Sequence, residues 1–595
     1  MPGIIGIIKS NIHNDYKKQL EAATDLMFHY DFYKKDIIIE TNNIVASKVD
    51  LDILSKKSMP ITENNVYCWF SGEVYNLEEL NTKFKSNFEN FENLLITAYK
   101  ENYLKEVLNI TNGDFHCALY DKDKREIKLF SDRFGFKHLY IYKDENNFAW
   151  SAEIKAFQAF DDFKFELDKD FVFSFLDCRH PIGTNTPFQN VKLAHYSSIY
   201  TYKIDEKELS KEYYWKWSDI KPSNISFNKA SQKLPGLLKD AIEKRIKHHN
   251  NIAVQISGGL DSRAILATVN KEKIKLAYTF GNENTVDTII ARQVSKTKQI
   301  PHQVDDYTKD DFLADQKFKT IWMTDGQFDL FHMHASDGVR RLKEDHGCDV
   351  TINGYWGDVI FGETFLYREN LEAKMTPHIA AKYYKNWIKL QDCTDDFYDI
   401  DKRTAYIFSS RGPRFISYGA HPNAIFFLKP FMDNDIIDFI FSLPEEYRVN
   451  NALYSKAMIK TYPKYFKYIP WSKDQKKLKV ERYYTNPNFL QKATIKIAKM
   501  KHKFLELFSK PSEKIGTELI DKALYKEKEI VEKVKRILGS NTMFESETGI
   551  NPYNEYWIPF LNGDNTYFSK ATTSLTIEIY LQQFFNKKYL GENKP

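Results

Sequence analysis

The sequence predicts a chain in two parts. The front is α+β, a layered β-sandwich with helices, and the rear is α/β, built on a doubly wound parallel sheet. Two observations predict the rear. The apolar run Ile252-Ala-Val-Gln-Ile256 ends in Ser257-Gly258-Gly259 and leads into Ser262-Arg-Ala-Ile-Leu-Ala-Thr-Val, which has helical apolar spacing; this is the pattern of buried strand, tight turn and helix. A second strand-like run, Leu276–Gly281, precedes a helix-like stretch from about Asp287 to Lys298, and strands alternating with helices build parallel sheets. The third observation predicts the front: short strand-like runs separated by turn residues recur through residues 1–160.

Composition narrows the function. At 595 residues, 42% hydrophobic and 28% charged, the chain is globular and long enough for several domains. A net charge of +4 gives no case for nucleic acid or a membrane surface as partner. Cys68, Cys117, Cys178, Cys348 and Cys393 are scattered without metal-ligand spacing, which favours a reduced, cytoplasmic protein with no disulfide framework. The opening Met1-Pro-Gly-Ile-Ile-Gly-Ile-Ile has no basic segment of the kind a signal peptide carries. No apolar run reaches the roughly 18 residues that span a bilayer. The oligomeric state is left open.

In chain order, Gly3–Ile8, Asp36–Glu40, Val66–Phe70, Phe115–Tyr120 and Lys128–Ser131 read as strands, with helices near Tyr16–Tyr30 and Glu89–Tyr99. Residues 205–230 are polar and turn-rich, so the boundary is set there, giving a front domain 1–205 and a rear domain 225–595. Ser231–His248 reads as an amphipathic helix leading to the glycine turn. That turn offers an anion free backbone N–H groups and the positive end of a helix. Gly258 and Gly259 let the backbone approach phosphate oxygens, Ser257 and Ser262 add hydroxyl donors, and Asp261 is placed to hold Mg²⁺ between phosphates. The Lys-Ser/Thr pair of a Walker loop is missing.

The run Asp349-Val-Thr-Ile-Asn353-Gly354-Tyr355-Trp356-Gly357-Asp358 repeats that logic: a β-branched strand, then a glycine turn carrying an acid. His332 and His334, two residues apart, are a poor metal pair on a helix and read as core or surface residues. The Lys/Glu-rich stretch Asn488–Leu538 has helical spacing and reads as a solvated helical region. A final helix, Thr576–Phe585, is expected to pack back on the rear domain.

Ser257-Gly-Gly-Leu-Asp-Ser262 resembles the pyrophosphate loop of the N-type ATP pyrophosphatases, which split ATP between its α and β phosphates. In the front, Gly3-Ile-Ile-Gly-Ile, Ser71-Gly-Glu-Val-Tyr-Asn76, Asn112–Asp121, Ser131–Tyr140 and Ser151-Ala-Glu-Ile-Lys-Ala156 resemble class II glutamine amidotransferase domains. Asn353–Asp358 resembles the Ser-Gly-Glu-Gly-x-Asp-Glu motif of asparagine synthetases. Leu428–Asp433 and Ser442–Glu446 resemble structural landmarks of the same family, and Tyr468-Ile-Pro-Trp-Ser-Lys473 resembles its segment that delivers a catalytic lysine. The chain is thus similar to the asparagine synthetase family over residues 1–475.

That resemblance implies that a substrate carboxylate attacks the α-phosphate of MgATP, giving an acyl-adenylate and pyrophosphate, after which a nitrogen nucleophile forms an amide. Ser257, Gly258, Gly259, Asp261 and Ser262 would bind the phosphates, Asp261 and Asp358 would hold Mg²⁺, and Asn353 and Gly354 would line the nucleotide site. Lys473, directed inward by the turn at Pro470-Trp471, would stabilise the tetrahedral intermediate.

The departures from the family are equally specific. Pro2 stands where the amidotransferase has its nucleophilic cysteine, and no arginine precedes Arg125 to hold glutamine's carboxylate. The oxyanion-hole asparagine falls on Ser71 and the aspartate that binds the amino group falls on Asn90. Together these imply a front domain kept for structure that makes no ammonia. Tyr355 replaces the glutamate that assists ammonia addition, as in β-lactam synthetase and carbapenam synthetase, where an amine attacks the acyl-adenylate. Three functions compete: an intermolecular amide ligase using ammonia or an amine, an intramolecular cyclase of the β-lactam or lasso-peptide kind, and a non-catalytic scaffold. Asp261, Asp358 and Lys473 weigh against the scaffold.

Overall fold

The computed structural model describes residues 2–9, 14–53, 59–181, 183–306, 313, 315–362, 424–473, 475–478 and 522–590. The front holds two antiparallel sheets. One runs, edge to edge, Val191–Leu193, Tyr140–Lys143, Phe148–Ser151, Ile4–Ile8, Ile44–Asp50 and Lys34–Lys35, with Ile39–Glu40 also on Ile44–Asp50. The other runs Glu208–Tyr213, Ser198–Lys203, Glu126–Ser131, Gly113–Asp121, Val66–Val74 and Ile61–Glu63. The run Ile4-Ile5-Gly6-Ile7-Ile8 is apolar throughout because both its faces are covered. Ile4 and Ile8 pack between the sheets with Ile44 and Trp69, while Ile5 and Ile7 share a core with Leu20, Ala23 and Met27 of helix Asn14–Leu26. Helix Phe91–Lys100 covers the second sheet with Phe91, Leu94 and Leu95, so the order of layers is helix, sheet, sheet, helix.

The structure corrects the expected strand Asp36–Glu40. Only Ile39–Glu40 pairs, whereas Ile37 is 66% exposed and the Asp36 carbonyl accepts instead from Ser47 Oγ at 2.9 Å. Beyond residue 205, Glu208–Tyr213 still pairs with Ser198–Lys203 as the hairpin that edges the second sheet. Cys68 and Cys117 are buried free thiols with their Sγ atoms 3.6 Å apart. Residues 488–521 of the expected helical region lie outside the described residues, while Lys528–Leu538 is a helix. None of the described helices is long and apolar enough to cross a membrane.

The rear sheet is parallel, in the order His302–Asp305, Ile274–Phe280, Ile252–Gln255, Val350–Ile352, Phe426–Leu428. Chain order runs outward from Ile252–Gln255 to one edge, then restarts on its other side at Val350–Ile352. This is a topological switch point, where loops leaving adjacent strands diverge and open a crevice at their carboxyl ends.

Buried polar groups join front to rear. Lys155, fully buried, pairs with Glu153 at 2.6 Å and with Asp325 of the rear at 3.0 Å. Asp325 also accepts from the main-chain N–H groups of Ile154 (2.8 Å) and Lys155 (3.0 Å). His29 Nε2 lies 2.8 Å from Glu153, and burial pushes its pKa down to about 4, so the imidazole is neutral. At a second contact Arg245 reaches Asp433 at 2.5 Å and Asn112 at 3.3 Å, and Asn112 donates to Asp433 at 2.7 Å.

The final helix, Phe568–Asn586, begins earlier than expected and packs on both parts, not on the rear alone. Ile577 and Leu581 meet Phe171 and Phe175 of front helix Lys169–Cys178, and Leu575 and Ile579 join the core around Trp322 and Leu330. Some of its buried polar groups tie it to its neighbours: Thr576 Oγ1 accepts from Leu330 N–H, and Glu578 accepts from the N–H groups of Met543 and Phe544.

Removing one member of a buried ionic group strands the others. Lys155→Met is therefore expected to cost about 3–5 kcal/mol, read as a lower urea midpoint. A change below about 0.5 kcal/mol would contradict a structural role for the group.

Candidate active site

Strand Ile252–Gln255 ends at the switch point, and helix Leu260–Thr268 starts from Gly259, which gives it no side-chain cap. The first N–H groups of that helix have no partner within it and face the crevice. The turn between is braced from within: Ser262 Oγ accepts from Ser257 N–H at 3.1 Å, and Ser257 Oγ accepts from Gly259 N–H at 3.2 Å. On the neighbouring strand, Val350–Ile352 runs into Asn353-Gly354 and then the short helix Gly357–Ile360. The two turns touch through their glycines. A methyl group on Gly354 would stand 2.5 Å from Ser262 N, and one on Gly357 would stand 2.3 Å from Asp261 Cγ. The Asp261 carboxylate thus lies against the residue that precedes Asp358.

Between the turns is a cleft of ≈ 420 Å³. Ser257, Gly259, Asp261 and Ser262 line one side, and Asn353, Gly354, Tyr355 and Asp358 line the other. Eight of the ten residues singled out in the sequence are thereby brought together. Gly258 sits behind the wall: its N–H donates to Asp287 Oδ1 at 3.1 Å, and a methyl group on it would stand 2.5 Å from Ser472 Cβ. Lys473 is not on the wall either. It occupies a tight turn closed by Trp471 N–H to Lys476 O at 2.9 Å, is exposed, and holds its Nζ 5.2 Å from the Trp471 ring. The expected inward direction is therefore corrected, because the turn carries the side chain outward over Trp471.

Sequence reasoning missed Asp287 and Trp356. Asp287 lies in the first turn of helix Val286–Lys298 and lines the cleft. It follows the next strand's glycine as Asp261 and Asp358 follow theirs, and that repetition was the available signal. Trp356 lines the cleft at φ +66°, a left-handed conformation that favours glycine. Burial pushes the Tyr355 phenol up to about 12.

The lining contains three carboxylates, Asp261, Asp287 and Asp358, and no Lys or Arg among the described residues. Polyphosphate would need a cation there. No group of three or more His, Cys, Asp or Glu among the described residues could hold a metal alone. Two aspartates nevertheless fit Mg²⁺, which keeps waters and phosphate oxygens as its other ligands.

In the front, Ser71 is buried opposite His116 on the paired strand, and Asn90 caps helix Phe91–Lys100 by accepting from Asn93 N–H at 3.0 Å. A methyl group on Gly3 would stand 2.4 Å from His116 Nε2, so imidazole fills the space beside the first strand. In residues 44–50 the buried cation is Lys48, paired with Asp50 at 2.9 Å.

Two family models match the chain: the glutamine amidotransferase domain over residues 1–215 and asparagine synthase over residues 233–410. The chain is 24% identical over 421 residues to a putative asparagine synthetase (glutamine-hydrolyzing) of Methanocaldococcus jannaschii, spanning 67% of this chain and 69% of that one. It is 27% identical over 206 residues to asparagine synthetase (glutamine-hydrolyzing) 3 of Bacillus subtilis, spanning 33% of each. Among solved structures, glutamine phosphoribosylpyrophosphate amidotransferase from B. subtilis, complexed with ADP and GMP, covers 51% of this chain and 65% of its own. Its TM-score of 0.26 and identity of 11% are too low to carry an argument. With a match to the glutamine amidotransferase domain followed by a match to asparagine synthase, and with these relatives, the chain is similar to the asparagine synthetase family in both of its parts.

Proposed function

We propose that the protein activates a substrate carboxylate with ATP as an acyl-adenylate and passes the acyl group to ammonia or an amine, without a glutaminase of its own. The coarser statement, a carbon–nitrogen ligase using ATP, follows from the family. The observation that carries the finer one is the contact of Asp261 with Gly357, which draws two acid-bearing turns into one cleft at the strand switch point.

A carboxylate oxygen would attack the α-phosphorus as the bond to the β-phosphate breaks and pyrophosphate leaves. Ser257, Gly259 and Ser262 would donate to the departing phosphates from hydroxyls and from the helix N-terminus. Asp261 and Asp358 would hold Mg²⁺, which neutralises phosphate charge when bound. The nitrogen would then attack the acyl carbon, lose its proton and expel AMP. A Tyr355 phenol held near 12 stays protonated at neutral pH, so it would orient the nucleophile as a hydroxyl rather than act as a phenolate. Lys473 would supply a cation to the oxyanion once its turn closes on the cleft.

Tyr355 also favours a second reading, the intramolecular cyclase, because the resemblance ties tyrosine here to attack by an amine. The mass of the product separates the two: loss of water from a single substrate marks a cyclase. In the front domain, Pro2, Ser71 and Asn90 support the absence of glutaminase activity.

Asp261→Asn and Asp358→Asn are each expected to lower acid-dependent exchange of pyrophosphate into ATP by ~100-fold or more, and near-normal exchange in both would remove them from the site. Purified protein should release glutamate from glutamine no faster than a heat-killed control, with or without ATP. Lys473→Met should abolish amide formation while exchange persists, and Lys476→Met should match wild type. A dead Lys476→Met with an active Lys473→Met would move the role to Lys476. Since Tyr355 is neutral across the range, the pH–rate profile should show no limb from it between about pH 6 and 10.

A further inference from the structure

Arg263 follows Ser262 directly, in the first turn of helix Leu260–Thr268, and is completely buried. Its four hydrogen bonds all go to main-chain carbonyls. Nη2 donates to Gly258 O at 3.1 Å and Pro470 O at 2.8 Å, and Nη1 donates to Tyr465 O at 3.1 Å and Ile469 O at 3.0 Å. One of these carbonyls belongs to the glycine turn. The other three belong to the segment that ends in Trp471, Ser472 and Lys473. Ser472 N–H also donates to Gly258 O, at 3.3 Å, so the two segments share that acceptor.

A buried cation bonded only to carbonyls is costly to maintain, and burial lowers its pKa to about 10, which still leaves it charged at neutral pH. The planar fork of arginine can bind carbonyls on two separate segments at once. An ammonium on a flexible stem has three donors at a single point and cannot span them.

We propose that Arg263 is a positioning residue that couples the glycine turn to the Lys473 turn, so that phosphate bound at the first fixes the second. The inference deepens the proposed acyl-adenylate reading and rests on it for its catalytic consequence, but the coupling can be measured separately. Phosphate that accepts from the Gly259 N–H, which otherwise donates to Ser257 Oγ at 3.2 Å, displaces the peptide unit that carries the Gly258 carbonyl. The Gly258 carbonyl is held by Arg263 and Ser472, so that displacement is carried directly to Pro470 and Ser472. Lys473, one residue on, follows.

The test uses the full-length protein and magnesium pyrophosphate as probe. Tryptic cleavage after Lys473 and Lys476 is followed by mass spectrometry with and without the probe, and probe binding is measured by calorimetry. In wild type, bound pyrophosphate is expected to slow these cuts by about tenfold or more, an opening-population change of that order. Arg263→Lys should bind the probe within about threefold of wild type yet lose the protection. It should also lower the kcat of amide formation by about 100-fold, the scale of an ångström misplacement, with KM for ATP little changed. If wild type binds pyrophosphate and its turn gains no protection, the coupling is overturned, whether or not any variant folds. Protection fully retained in Arg263→Lys overturns it as well. Protection in wild type without acid-dependent exchange for any acid would leave the coupling standing and sink the acyl-adenylate reading. Exchange without protection would do the reverse.

Discussion

A hydrogen atom where other residues carry a methyl group holds the rear domain's cleft together. Gly357 admits the Asp261 carboxylate and Gly354 admits the backbone at Ser262. Any side chain at either position would push the turns apart by ångströms, and the acids on each would no longer face one volume. The sheet supplies the other half of the constraint. Because chain order reverses between Ile252–Gln255 and Val350–Ile352, no crossing connection fills the space above their carboxyl ends. The electrostatics follow from that geometry: three aspartates around the cleft make it a place for a cation and for the anions a cation attracts.

The front domain puts its familiar segments to another use. Asn112 bonds to Asp433 and Arg245, and Glu153 and Lys155 form an ionic group with Asp325 of the rear. These residues come from two of the segments that resemble amidotransferases, yet their contacts join the two domains. Positions that the resemblance would assign to glutamine make structural contacts. Asn90 caps a helix, and Lys48 is buried with Asp50. The proposed retention of this fold without glutaminase chemistry is physically coherent, since interface and core impose their own requirements on sequence.

What could be read from sequence was what repeats a local pattern. The two glycine turns were legible because strand, turn, acid and helix follow one another within a dozen residues. Arg263 was not, because its acceptors at Tyr465, Ile469 and Pro470 lie some two hundred positions away. Strand Ile44–Asp50 was matched through the resemblance and not through its own pattern, because Ser47 and Lys48 interrupt its apolar run, although both are buried and bonded, to the Asp36 carbonyl and to Asp50. The opposite error came at Asp36–Glu40, where three isoleucines suggested a strand that leaves Ile37 in solvent. Lys473 was expected to point inward and points outward, because a tight turn reverses side-chain direction within a few residues and composition does not record it.

The final helix has a consequence for how the chain is made. Its residues Ile577 and Leu581 cover Phe171 and Phe175 of the front domain, and among the described residues the rest of that small core comes from Leu167 to Leu176 and from the late residues Met543, Phe544, Ile550 and Tyr556. On the ribosome, the front domain emerges first. At roughly 5–20 residues per second, the stretch separating the two helices takes on the order of 20–80 seconds to synthesise. Throughout that interval the nascent front domain carries an uncovered aromatic patch. The patch is a natural target for a chaperone, and a chain cut short before Phe568 would display it permanently.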